Sequence, residues 1–256
     1  MSIQSEITQL NTNLDNCYAV CEGLGATMPA DKNFDNLEDT IASIVRDVDY
    51  IINNGSLVWA NPKIYLSNDA SNYIDTGLLL SNNSKIRCVC ALSASAITAD
   101  HGWRAAGSAY TNAGFGIGTG SSDQNPLYYY YTGSGQALSG YNMKDTNKHT
   151  LILDKNKAYF DGTLVRTYTE ATFQNTGTNT AGIFSRRQSE NKDYWNGKIY
   201  SCEFWENNTL TGHFVPVPQG LVIGNYTCPS NGMFDIVSQT FFANQGSGTF
   251  TYGKDN

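Results

Sequence analysis

The chain changes character near residue 50, and that change limits what it can become. Residues 2–24 carry an apolar stripe at Ile3, Ile7, Leu10, Leu14, Cys17, Cys21 and Leu24. The spacing alternates four and three without a slip, and no glycine interrupts it before Gly23. A seam repeating about every 3.5 residues is too narrow for a lone helix to bury and asks for partner helices. Beyond residue 50 the pattern gives way to short β-like runs separated by Gly, Asn, Thr and Tyr. The chain therefore reads as a coiled-coil oligomerisation and anchoring helix (1–24), a short helix and linker (25–54) and a β-rich head (55–256).

Charge follows the same division. Residues 1–50 hold nine acidic side chains against Lys32 and Arg46, which accounts for the whole net charge of −7; the rest of the chain balances at fourteen of each sign. An acidic helical segment suits docking on a basic surface, and it equally serves to keep a helix pair soluble. No basic patch or RNA-binding signature is present, so nucleic acid is not an expected partner. Charged residues make up 15% of the chain, against about 25% in a typical soluble protein. The polar surface must then come from Asn, Thr, Ser, Gly and Tyr, which suits hydrogen bonding to carbohydrate.

The six cysteines do not form a disulfide pattern. Cys17 and Cys21 sit in the helical seam, Cys88 and Cys90 fall on one face of a strand, and Cys202 and Cys228 stand alone. A bridge between residues two apart on a strand is geometrically poor, and paired CxxC metal spacing is absent. Reduced core thiols, folded in a reducing cytosol, are expected. Met1–Glu6 is polar and no apolar stretch follows, so no signal sequence is expected. No run of 18 apolar residues exists, so no membrane insertion is expected.

Gly23 and Gly25 end the first helix, and Asn33 or Asp35 is placed to cap a second one with Leu37, Ile41 and Ile44 on its apolar face. After the turn signal Asn53-Asn54-Gly55 comes alternation. Strands are expected over 84–94, 127–132, 149–154, 158–160, 163–169, 180–185, 197–206, 213–217, 221–226, 240–243 and 249–252. Asp161-Gly162 marks a hairpin turn. No helical pattern intervenes, which predicts a mainly β, antiparallel β-sandwich.

Several short motifs, in order, carry a resemblance. Asn72-Tyr73-Ile74-Asp75-Thr76-Gly77, Lys148-His149-Thr150-Leu151 and Ala158-Tyr159-Phe160-Asp161-Gly162 come first. Asn196-Gly197-Lys198-Ile199-Tyr200-Ser201, His213–Val217, Met233-Phe234-Asp235 and Asn244–Phe250 follow. Together they resemble the concanavalin A-like, laminin-G-like jelly-roll modules of phage structural proteins, and the N-terminal run Met1–Ile7, with Gly25–Pro29 and Asp35–Ile44, resembles the leader of phage tail and fibre proteins. The resemblance implies a virion component made in the bacterial host cytoplasm, often oligomeric, with a sugar-binding-type fold. Its implied partners are further copies of itself, other virion proteins through the N-terminal region, and a bacterial surface glycan. A non-binding structural or decoration protein of the phage head or baseplate is the alternative.

Candidate ligand-binding residues are the loop aromatics Trp103, Tyr110, Tyr141, Tyr194 and Trp195, with Arg104, Asn112, Arg186, Arg187 and Asp193 as hydrogen-bonding neighbours. Exposed rings stack on sugars and the polar groups bind hydroxyls or acids; the plainer reading is that they plug sandwich edges or pack at a trimer interface. Of the run Tyr128–Tyr131, two rings should face in and two out. Glucanases on this fold use a Glu-x-Asp-x-x-Glu strand. Here Glu203 and Glu206 lack the central acid and sit three apart, facing opposite ways. His101, His149 and His213 form no recognisable catalytic order. No enzyme activity and no cofactor are expected. Some modules of this fold bind a structural Ca²⁺, for which Asp69, Asp75, Asp100, Asp123 and Asp193 are loop or strand-end candidates, though no EF-hand-like spacing accompanies them.

Ile and Leu at both seam positions do not choose sharply among two, three or four strands, and the phage resemblance favours three. Light scattering on the full chain is expected to return three times the mass of one chain; a stable monomer at micromolar concentration would remove the oligomeric stalk.

Overall fold

The computed structural model describes residues 3–23, 28–37, 49–69, 71–98, 103–110, 113–120, 124–130, 136–171, 179–186 and 193–255. They form two compact units, Met1–Ile51 and Ile52–Asn256. Mainly β structure in antiparallel sheets accompanies one long helix.

In the first unit the helix Ile3–Gly23 forms where the stripe predicts it. Its buried face is Leu14, Tyr18 and Cys21, while Cys17 is exposed. Within the chain, the buried face thus shares Leu14 and Cys21 with the expected seam and adds Tyr18. The Tyr18 hydroxyl donates to the Asn33 carbonyl at 2.7 Å, which brings an aromatic residue into the place assigned to Cys17. Ile7 and Leu10 remain exposed, at 47% and 52%. The described chain thus shows a helix, and its coiled-coil pairing stays an expectation. The Ile3 side chain, Leu24, Ile41 and Ile44 lie outside the described residues. Asn33 is the cap: its Oδ1 accepts from the Asn36 N–H at 2.9 Å and opens helical residues 34–37.

The second unit is built on a ten-stranded and a six-stranded antiparallel sheet. The main path of the larger runs Thr163–Thr167, Lys157–Phe160, His149–Asp154, Ser84–Leu92, Asn196–Glu206, Thr209–Val217, Gly232–Asp235, Thr240–Phe242. Ile64–Asp69 pairs with the start of Asn196–Glu206 and carries Thr251–Lys254 on its other side. The smaller sheet runs Ile74–Asp75, Gly182–Ile183, Arg104–Tyr110, Ala113–Thr119, Pro126–Tyr130, Gln136–Ala137. Buried residues of both sheets join one hydrophobic cluster: Ile86, Cys88, Leu151 and Phe204 from the larger, Phe115, Ile117 and Tyr128 from the smaller. Alternation does this, since every second residue of a strand shares a face. Along Ser84–Leu92, Ile86, Cys88, Cys90 and Leu92 are buried while Lys85, Arg87 and Val89 are half-buried. All six cysteines are free thiols.

The sequence missed the strands Arg104–Tyr110 and Ala113–Thr119, whose glycines and alanines look like loop. A Cβ on Gly118 would stand 2.2 Å from the Trp103 carbonyl oxygen. These glycines therefore let two backbones approach rather than make a turn. The expected strand 180–185 is broken at Phe184, where φ is 63°. A short helix, Ala94–Thr98, also interrupts the expected all-strand pattern. No helix among the described residues is long and apolar enough to cross a membrane.

At Gly197, φ is 149° and a Cβ would stand 2.1 Å from the Ala91 carbonyl oxygen. Gly197→Ala must strain the backbone and part the two central strands, so it is expected to cost about 2 kcal/mol or more. Urea denaturation checks this; an unchanged midpoint would show that the strands tolerate separation there.

Candidate functional site

Of the loop aromatics expected to meet a sugar, the two tryptophans lie in the core instead. Trp195 is fully buried and Trp103 is 7% exposed, and both belong to the core cluster. Their indole N–H groups donate to the carbonyls of Lys198 (3.3 Å) and Ala96 (3.4 Å). Glycine and asparagine neighbours suggested loop, but both residues sit where strand ends close over the core. Neither ring face is free to stack on a sugar. Tyr141 packs edge-on to Phe160 at 5.9 Å, and Tyr194 leans on Tyr73 at 6.2 Å.

The structure does bring Arg104 and Arg186 together. Their guanidinium groups lie 4.9 and 4.0 Å from the ring centre of Tyr129. Arg104 also donates to the carbonyls of Trp103 and Thr119. Tyr129 stands outside the core cluster that holds Tyr128 and Tyr130, as alternation predicts, but it is 3% exposed, so its ring holds arginines rather than a ligand. Asn112, Arg187, Tyr131, His101, Asp100 and Asp123 lie outside the described residues, as do the side chains of Tyr110, Asp69 and Asp193. Among the described residues no group of three or more His, Cys, Asp or Glu side chains could hold a metal ion. The carboxylate of Asp75 accepts from the Gly77 N–H and the Thr180 hydroxyl.

A better-formed site lies on the outer face of the large sheet. Arg87, Thr150, Glu203 and His213 alternate with core residues and so point away from them. With Trp59 and Tyr200 they line a cleft of about 420 Å³. The pairing register places Glu203 opposite both Arg87 and His213. Arg87 Nη1 donates to the Glu203 carboxylate at 2.9 Å, and His213 Nε2 stands 3.6 Å from it. Burial pulls the His213 pKa down, Arg87 adds to this, and Glu203 and Asp235 oppose it. His213 is therefore neutral at neutral pH, and Arg87 and Glu203 are the charged pair of the cleft.

A second cleft, about 590 Å³, opens on the same sheet. Tyr65, Ser67, Asn196, Lys198, Thr249 and Thr251 line it. Lysines and tyrosines stand between the two. The rings of Tyr65 and Tyr200 meet edge to face at 5.7 Å. Lys198 Nζ lies 4.0 Å over Tyr65, and Lys148 Nζ lies 3.9 Å over Tyr200. Lys198 Nζ and the Tyr200 hydroxyl each donate to Asp255 at 2.6 Å. Burial alone would raise the Asp255 pKa, but these two donors hold it below the ordinary value. Arg87, Tyr200 and Trp59 lie on strands rather than in the aromatic-bearing loops that the sequence marks, and Lys148 directly precedes one. The outward position on a strand whose other face is core signals Arg87 alone; alternation predicts Tyr200 on the core face with Cys202 and Phe204, and the irregular pairing between Ile199 and Ser201 turns it to the cleft instead.

Glu203 and Glu206 do not converge. Glu203 is bound to Arg87, whereas Glu206 accepts from the hydroxyls of Ser81 (2.6 Å) and Ser84 (2.5 Å). His149 is clamped between Asp161 (Nδ1, 2.8 Å) and Asp145 (Nε2, 3.0 Å) and stacks on Phe160. Asp161 also accepts from the Thr150 N–H at 2.7 Å, which ties the histidine to its hairpin.

No protein-family profile matches the chain, and no curated protein matches it. A solved structure from Bacteroides ovatus ATCC 8483, described by inference as a carbohydrate-binding protein, aligns with a TM-score of 0.50 and 10% identity. The alignment covers 76% of this chain and 61% of that one, so the chain spans about three fifths of its length. At that identity the likeness is one of β-rich fold.

Burial opposes protonation of His149, but the hydrogen bonds its ring donates to Asp161 and Asp145 outweigh it and raise its pKa above 6.5. The clamp's contribution to stability is therefore complete below about pH 6.5 and is lost as pH rises through the folded-state value. His149→Gln is expected to lower the melting temperature more at about pH 5.5 than at about pH 8.5. Equal losses at both would show that packing on Phe160 is what matters.

Proposed function

We propose that this chain is an oligomeric bacteriophage attachment protein whose concanavalin A-like head binds host cell-surface carbohydrate. The observation that carries the proposal is the cleft on the outer face of the large sheet, where the half-buried Trp59 ring accompanies the hydrogen-bonding groups of Arg87, Thr150, Glu203 and His213. Saccharide sites combine an aromatic wall with a few fixed polar groups. The β-rich likeness to the Bacteroides ovatus protein and the ordered phage-type motifs support the same reading. Exposed Ile7 and Leu10 on the first helix suit association with further copies. Three linked heads would raise a modest affinity per site without any new contact. No reaction is proposed, since Glu203 and Glu206 are held by separate partners.

The second reading is a structural virion protein with no ligand of its own. It draws on the two predicted tryptophans, which serve the core. A glycan array and a host-cell adsorption assay separate the two. Full-length protein is expected to bind, and Trp59→Ala to weaken binding several-fold with little change in melting temperature. If the native protein binds neither cells nor glycans, the structural reading stands.

A further inference from the structure

Both clefts lie along one strand. Asn196, Gly197 and Lys198 line the larger, and Tyr200, Ser201 and Glu203 line the smaller. All belong to Asn196–Glu206. At about 3.3 Å per residue, the stretch from Asn196 to Glu203 runs about 23 Å. That is a length for a chain of sugars rather than for one.

The divide between the clefts carries unbalanced positive charge. Lys198 is paired with Asp255 at 2.6 Å, and Arg87 with Glu203 at 2.9 Å. Lys148 makes no ion pair among the described residues. Its exposed ammonium donates to the Pro62 carbonyl at 2.7 Å and sits over the Tyr200 ring. Burial pulls its pKa down, and the neighbouring ammonium groups of Lys198 and Lys63 pull in the same direction against Asp255. A further anion beside Lys148 would relieve that repulsion.

The rings also argue for an anion. Tyr65 and Tyr200 each have a lysine over one face, so they hold ammonium groups in place. That leaves poor platforms for the stacked bases of a single-stranded nucleic acid. The rest of the larger cleft offers hydroxyl and amide groups from Ser67, Thr249, Thr251 and Asn196, which fit sugar hydroxyls.

Resting on the carbohydrate-binding reading above, we infer that the two clefts form one extended groove for an acidic polysaccharide, with Lys148 meeting a carboxylate at its midpoint. A carboxylate on a preset ammonium gives a charge-assisted hydrogen bond, stronger than a neutral one. Being solvent-accessible, it must weaken as salt rises.

The test uses full-length protein against immobilised disaccharides and hexasaccharides, each in a neutral and a uronate- or sialate-bearing set, with single-stranded DNA alongside. Binding is expected to concentrate on the acidic hexasaccharides and to fall as salt is raised. Lys148→Gln should weaken the best of them about tenfold, leave the melting temperature unchanged and flatten the salt dependence. Equal binding of neutral and acidic hexasaccharides overturns the acidic assignment and leaves the carbohydrate reading in place. Disaccharides binding as tightly as hexasaccharides overturn the extended groove. DNA binding at matched or higher affinity, or an unaltered Lys148→Gln variant, overturns the inference. No saccharide bound in any set overturns the carbohydrate reading with it.

Discussion

The register that sets Cys88 opposite Cys202 governs both faces of the large sheet. On the inner face those thiols join the core with Ile86 and Phe204. On the outer face the next position sets Arg87 opposite Glu203. One pairing thus positions both the core and the cleft. A slip by one residue would exchange them, placing an arginine and a glutamate in the core. The cost of burying those charges without water is what holds the register.

Around that pair, the larger cleft depends on close backbone approach. Gly197 has no side chain to push Asn196–Glu206 away from Ser84–Leu92. Two residues later in the same strand, the pairing is irregular between Ile199 and Ser201. Ile199 and Tyr200 are both buried residues, yet only Ile199 belongs to the core, while Tyr200 lines the cleft. Tyr200 then orders what surrounds it. Its hydroxyl holds Asp255, its ring carries Lys148 and its edge meets Tyr65. Lys148 and Lys198 are consequently held in place by fixed partners before any ligand is considered.

Arg104, Arg186 and Tyr129 show the opposite outcome. They combine the residue types of a binding site, and both arginines were candidates on that ground. Yet Tyr129 is nearly inaccessible and its ring is occupied by the two guanidinium groups. Residue type alone does not separate a polar, aromatic cluster that holds a fold from one that meets a ligand. Accessibility does, and it follows from how strands and their connections cover one another.

The sequence alone determined what is local. The helix Ile3–Gly23, a cap at Asn33 or Asp35, the Asp161-Gly162 turn and the inward residues of Ser84–Leu92 all follow from periodicity or from a single backbone preference, each expressed within a few residues. The antiparallel β class followed from the same repeats. What the tertiary structure decided is everything that joins distant segments. It placed Tyr18 rather than Cys17 in the buried face of the first helix, through a contact with Asn33. It turned the glycine-rich run Ala113–Thr119 into a strand, because a neighbouring backbone comes too near for side chains. It sent Trp103 and Trp195 to the core and gathered Lys148, Lys198, Tyr65, Tyr200 and Asp255 from four stretches of chain. Periodicity says which side of a strand a residue takes; only the pairing of strands far apart in sequence says what it meets there.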